Sequence, residues 1–259
     1  MELLRTHTRR SVLSETIYIL LNIGLALVVL GLILILQSPW LAIVAVFMSK
    51  WRIFAVRPRY WMAHIQANLV DMIVGVGLAI LMFVALGSLG LQVALTVVYI
   101  LWLLFVKPRS KHVYVLAQAG TAIFIGISAL TAISYDAWAS LFVLGMWLIG
   151  YATARHILLL YEEAHRSFLS LAWGFLFAEF GWLFYHWTFA YALPGFGNVK
   201  IAQSAVIMLA MSFFAYKAYA SYDKYQEIRM NDVAMPLLLS VGVSIVLLLI
   251  FNAIPAGGS

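Results

Sequence analysis

The chain contains no cysteine, which excludes disulfides, thiolate metal ligands and thiol nucleophiles together and leaves the redox compartment open. Charge is almost as scarce: 10% of residues are Asp, Glu, Lys or Arg, against about a quarter in a water-soluble domain. Long polar stretches are missing as well, so little chain remains for a soluble domain or linker. These shortages exclude most soluble enzymes and any cysteine-based chemistry.

What fills the chain is hydrocarbon. Of its 259 residues 65% are hydrophobic, and the mean hydropathy is +1.00. Apolar runs of about 20 residues, the length that spans a bilayer, follow one another almost without pause. The sequence therefore predicts an all-α, polytopic integral membrane helical bundle. The segments fall near 14–36, 38–56, 62–87, 90–106, 113–133, 137–160, 167–193, 200–220 and 233–254, about nine spans in all. They form one transmembrane domain over 1–254, with 255–259 a short tail. Ahead of the first run, Arg9 and Arg10 resemble an export signal, but Glu15 interrupts it and LILQSPW offers no small-x-small cleavage site. An uncleaved first span is expected.

The net charge of +6 is confined to short connections, with no basic groove interleaved with aromatics. Anionic lipids of the cytoplasmic leaflet, and not nucleic acid, are the expected partners. Connections rich in Lys and Arg alternate with connections nearly free of them. The basic ones hold Arg5, Arg9 and Arg10; Lys50, Arg52, Arg57 and Arg59; Lys107, Arg109 and Lys111; Arg155 and Arg166; and Lys217, Lys224 and Arg229. Positive charge stays on the cytoplasmic side, so a cytoplasmic N-terminus and an external C-terminus are expected, in a membrane such as the prokaryotic cytoplasmic membrane. VRPRYW at Val56 and VKPRSK at Val106 read as two such turns, each with proline ending the incoming helix. Their alignment sets Asn68 against Gln118 and Ile73 against Ile123, which is compatible with a duplicated two-helix hairpin.

Polar groups inside the spans are the candidate site residues, because a charged side chain at mid-bilayer costs at least about 2.5 to 3.5 kcal/mol and usually faces the bundle interior. Glu179 lies in the seventh segment, with His186 seven residues on and on the same face. Asp71 and Asn68, spaced i, i+3 in the third segment, form a second pair. Glu179, His186, Asp71 and Asn68 are candidate ligand or proton sites; Arg155, Lys217 and Gln118, together with Glu15, are candidates for a polar vestibule open to the cytoplasm. His64, His112, His156 and His165 fall at cytoplasmic helix ends, where interfacial solvation explains them better than a metal. Lys217 lies too near its helix end for a retinal Schiff base, and no cofactor is named by the sequence. Trp173, Phe175, Phe177, Phe180, Trp182, Phe184, Tyr185, Trp187 and Tyr191 ring the seventh segment, as packing or as an apolar pocket. The small residues of AQAGTAIFIGISALTA predict a central fifth helix.

Three functions are compatible with this pattern. The first is a carrier or ligand-binding protein with a polar intramembrane site, taking a small molecule or a lipid. The second is a membrane enzyme acting on a lipid or polyprenyl substrate, for which EEAHR at Glu162 and SYDKYQE at Ser221 are the only carboxylate clusters. The third is a scaffold subunit of an envelope complex. Glu179 favours the first.

Overall fold

The computed structural model describes residues 12–53, 55–134, 137–161, 163–186, 190–192 and 200–249. Arg5, Arg9, Arg10, Tyr135, Asp136, Glu162, Trp187 and the 255–259 tail lie outside them. The described chain is a bundle of helices: α1 (Val12–Leu36), α2 (Trp40–Met48), α3 (Trp61–Val84), α4 (Leu89–Leu101), α5 (His112–Ile133), α6 (Ala139–Leu158), α7 (Arg166–His186), α8 (Gln203–Tyr225) and α9 (Met230–Leu249). Between α7 and α8, strands β1 (Ala190–Ala192) and β2 (Lys200–Ala202) pair antiparallel. Among the described residues, eight helical stretches are long and apolar enough to cross a membrane, and the protein is a polytopic helical membrane bundle.

The second expected span differs. α2 has nine residues, about 13 Å at 1.5 Å per residue, less than half the hydrocarbon thickness. Beyond it the chain turns at Ser49 and Lys50, makes one 3₁₀ turn at Trp51–Ile53, and reaches α3 through a second at Pro58–Tyr60. A built Cβ on Gly75 would lie 2.8 Å from Val46, and Lys50 pairs with Asp71. Four residues forward in one strand of the pair match four back in the other, so α2 runs antiparallel to α3. The Tyr18 hydroxyl of α1 donates to the Leu103 carbonyl just beyond α4 (3.3 Å), which puts the start of α1 level with the end of α4 and hence with the start of α3. Segment 40–60 therefore runs the depth of the bundle, as a regular helix only for its first part.

Two apolar clusters hold the bundle. One joins α1 to α5 through Ile33, Val46, Val74, Leu78, Met82, Tyr99 and Ala122. The other joins α5 to α9 through Ile123, Phe142, Met146, Phe177, Phe184 and Met208. α5 belongs to both and is half buried along its length; its small residues admit neighbours on several sides, as expected. α6 and α7 approach most closely of all, because a Cβ on Gly150 would meet Phe177 at 2.5 Å. Between α3 and α4 the turn needs Gly87, whose φ of +95° a side chain would oppose.

Candidate functional site at a broken crossing

Asp71 sits ten residues into α3, about 15 Å from its start, and three side chains converge on it. Lys50, from the break after α2, forms a hydrogen-bonded ion pair with its Oδ2. Lys107 approaches the same oxygen at 2.9 Å, and the Trp102 indole N–H donates to Oδ1 at 2.9 Å. Both carboxylate oxygens are thus engaged. The side chains of Lys50, Asp71 and Lys107 are 7%, 12% and 30% exposed, so the cluster is closed at Lys50 and opens at Lys107.

Local irregularity makes this convergence possible. The end of the α4 crossing is a π turn over Trp102–Val106, closed by Lys107 N–H donating to the Trp102 carbonyl at 2.9 Å. In a regular α-helix, residues five apart point about 140° away from each other. The wider turn brings Trp102 and Lys107 round to one face, and π turns of this kind recur at functional sites. On the other side, Lys50 lies four residues beyond Val46 and so on the face that α2 turns to α3, and the turn after Met48 ends the helix beside it.

The turn that carries Lys107 is fixed from α5. Buried Gln118 donates its amide to the carbonyls of Val106 (2.7 Å) and Arg109 (2.9 Å), on either side of the Pro108 that ends the helix; the Val106 oxygen also accepts from the Arg109 N–H at 3.3 Å. Its Oε1 meets His156 Nε2 of α6 at 2.7 Å. The VRPRYW turn uses a different device for the matching oxygen, as the Trp61 indole donates to the Val56 carbonyl at 2.9 Å. Asn68, aligned with Gln118 by sequence, bonds back to the His64 carbonyl of its own helix instead. The two turns are alike in sequence and differ in wiring.

The other expectations divide. Asp71 is the centre of an ion cluster, but Asn68 is not brought to it. Lys50 and Lys107, read as topological charges, are its ion partners. Glu179 departs from the inward orientation expected of it: it is exposed on the outer face of α7, and among the described residues no hydrogen bond or ion pair reaches it. His186 is exposed too, edge-on to Trp182 at 4.9 Å. No contact joins either to Asp71. The vestibule grouping is not assembled as expected: Gln118 is buried, Arg155 reaches Ser167 (3.4 Å), and Lys217 lies over Phe213 and Tyr216. Glu15 is exposed near the start of α1. His156, expected at the solvated interface, is half-buried on Gln118. The deeper aromatics of α7 pack: Phe177 and Phe184 are buried in the second cluster, with Trp173 and Phe180 against it.

One signal in the sequence marked the missed lysine. Lys50 and Arg52 lie inside the second apolar segment, which a continuous span does not tolerate without a partner. Nothing comparable marked Trp102, whose role depends on the π turn.

The carboxylates outside the spans serve local structure. Glu163 accepts from the Tyr219 hydroxyl and, at 2.9 Å, from the His165 amide. The Tyr219 hydroxyl and then the His165 amide hold its carboxyl below the usual range. Ser221 donates to Asp232 at 3.0 Å and accepts from the Arg229 amide at 3.0 Å. Around Glu163, Tyr161 stands edge-on to both Tyr219 and His112. Among the described residues, no group of three or more His, Asp or Glu could hold a metal ion. Comparison with protein-family models, with curated proteins and with solved structures finds no match for this chain.

Proposed function

We propose that the protein is an integral membrane carrier of a small anion, with its solute site at Lys50, Asp71 and Lys107. One observation carries the reading: a single carboxylate faces two ammonium groups where one crossing is unwound and another ends in a π turn. Irregular backbone at membrane depth is tolerated where it lines a site, and interrupted helices frame the substrate in many carriers. An ion cluster is a poor way to gain stability, since desolvation offsets most of the attraction. Two ammoniums against one carboxylate leave unit positive charge, which a solute anion would neutralise. Lys107, the more exposed partner, is the group that would exchange Asp71 for solute. Lys50 would stay with Asp71 and hold the pair closed from the other side.

The membrane proposed is a prokaryotic cytoplasmic one, with the Lys107 turn inside and anionic lipids on the basic connections. The test is anion flux into proteoliposomes, using nitrate, phosphate and succinate with chloride as the reference ion. At least one should enter faster than into protein-free vesicles, and Lys107→Gln should lose most of that rate while remaining folded and monodisperse. Rates equal to protein-free vesicles for every ion, or an unchanged rate in Lys107→Gln, would refute the proposal.

A further inference from the structure

α7 presents two faces of different chemistry. Its inner face, Ser170, Gly174, Phe177, Gly181 and Phe184, is buried, and the two glycines bring it against Trp147 and Met146 of α6. Its outer face carries Phe168, Ala172, Phe175, Glu179, Trp182 and His186, all exposed. Those six positions are spaced four, three, four, three and four residues apart, the repeat with which one helix packs along another in a left-handed pair. Glu179 is in the middle of this seam, about 20 Å from the start of α7 and about 10 Å from its end. Its side chain is too short to reach water from there, and lipid offers it no partner.

We propose that this face is a homodimer interface within the bilayer, centred on a reciprocal hydrogen bond between the Glu179 carboxyls of two copies. Copies inserted in the same orientation are related by a two-fold axis along the membrane normal, so identical residues meet at the same depth. A carboxylic acid in its neutral form has one donor and spare acceptors, and two facing copies therefore satisfy each other. No different partner is needed to supply complementary chemistry. Ala172 lets the backbones approach on one side of the carboxyl, and Phe175 and Trp182 fill the turns that flank it. A single polar residue in an apolar seam also fixes register, because any slide along the helix leaves both carboxyls in hydrocarbon.

The absence of native cysteine makes the test clean. Ala172→Cys, Phe175→Cys and Trp182→Cys, each alone in the full chain in lipid vesicles, should give oxidative dimers well above Leu238→Cys, which is exposed on α9. In a dilution series read by energy transfer between labelled copies, Glu179→Leu should weaken dimerisation about tenfold. Glu179→Gln should retain it, since an amide also donates and accepts. Because Glu179 lies on the outer face of α7, these variants should keep the parent's helical content. Seam cysteines that cross-link no better than position 238, or Glu179→Leu dimers as strong as the parent's, would overturn the proposal.

Discussion

Replacing Asp71 by asparagine removes the one negative charge between two ammonium groups and little else. The amide keeps an oxygen for the Trp102 indole, and the shape of the side chain is preserved. Lys50, however, is left with a side chain only 7% exposed and no counter-charge. Breaking a buried pair in this way costs about 3 to 5 kcal/mol; since Lys107 is 30% exposed and can turn outward, the lower end, about 3 kcal/mol, is expected. At about 2 to 4 °C per kcal/mol, that lowers the melting temperature by roughly 6 to 12 °C. Lys50→Met should cost much less, under about 1 kcal/mol, because Asp71 then keeps Lys107 and Trp102 and one desolvated ammonium is gone. In the double variant Lys50→Met with Asp71→Asn the stranded ammonium is absent, and most of the lost stability should return, giving a coupling of about 2 kcal/mol. Tryptophan fluorescence during thermal unfolding in one detergent, with all four proteins compared, measures it. A double variant that falls by the sum of the singles would refute this account of the cluster, as would an Asp71→Asn protein that melts with the parent.

Gln118→Leu removes the side-chain donor from the Arg109 carbonyl, leaves the Val106 carbonyl only the longer bond from the Arg109 N–H, and leaves His156 without its amide partner, and is expected to cost about 2 kcal/mol in the same melt. Tyr219→Phe tests Glu163: a carboxyl with a lowered folded-state pKa adds stability at pH above its unfolded value and loses it as pH falls through the lowered one. The variant should therefore melt below the parent at neutral pH and converge with it in acid, and a gap that does not change with pH would contradict the pairing. Orientation is read by labelling single cysteines in intact cells, where Ser88→Cys, beyond α3, should react with an impermeant maleimide and Ser110→Cys, beyond α4, should not. The reverse pattern would invert the topology.

Composition alone determined that this chain lives in a bilayer, because helices are the only way for long apolar runs such as Ile17–Leu36 to satisfy their backbone groups there. The small residues of α5 foretold its central place for an equally local reason, since a helix without bulk admits several neighbours. Asp71 was visible as a charge at depth, and the sequence required that it have a partner without saying which. That choice belonged to tertiary structure. Lys50 and Lys107 are 57 residues apart in the chain, and they meet at one carboxylate because α2 lies antiparallel to α3 with Val46 and Lys50 on the shared face, and because the α4 crossing widens into a π turn. Neither that register nor the π turn has a residue type that demands it; each is decided by what packs alongside. Glu179 shows the converse limit: its depth followed from counting along α7, but the face it presents was set by Gly174 and Gly181, whose close fit against α6 turned the carboxyl outward.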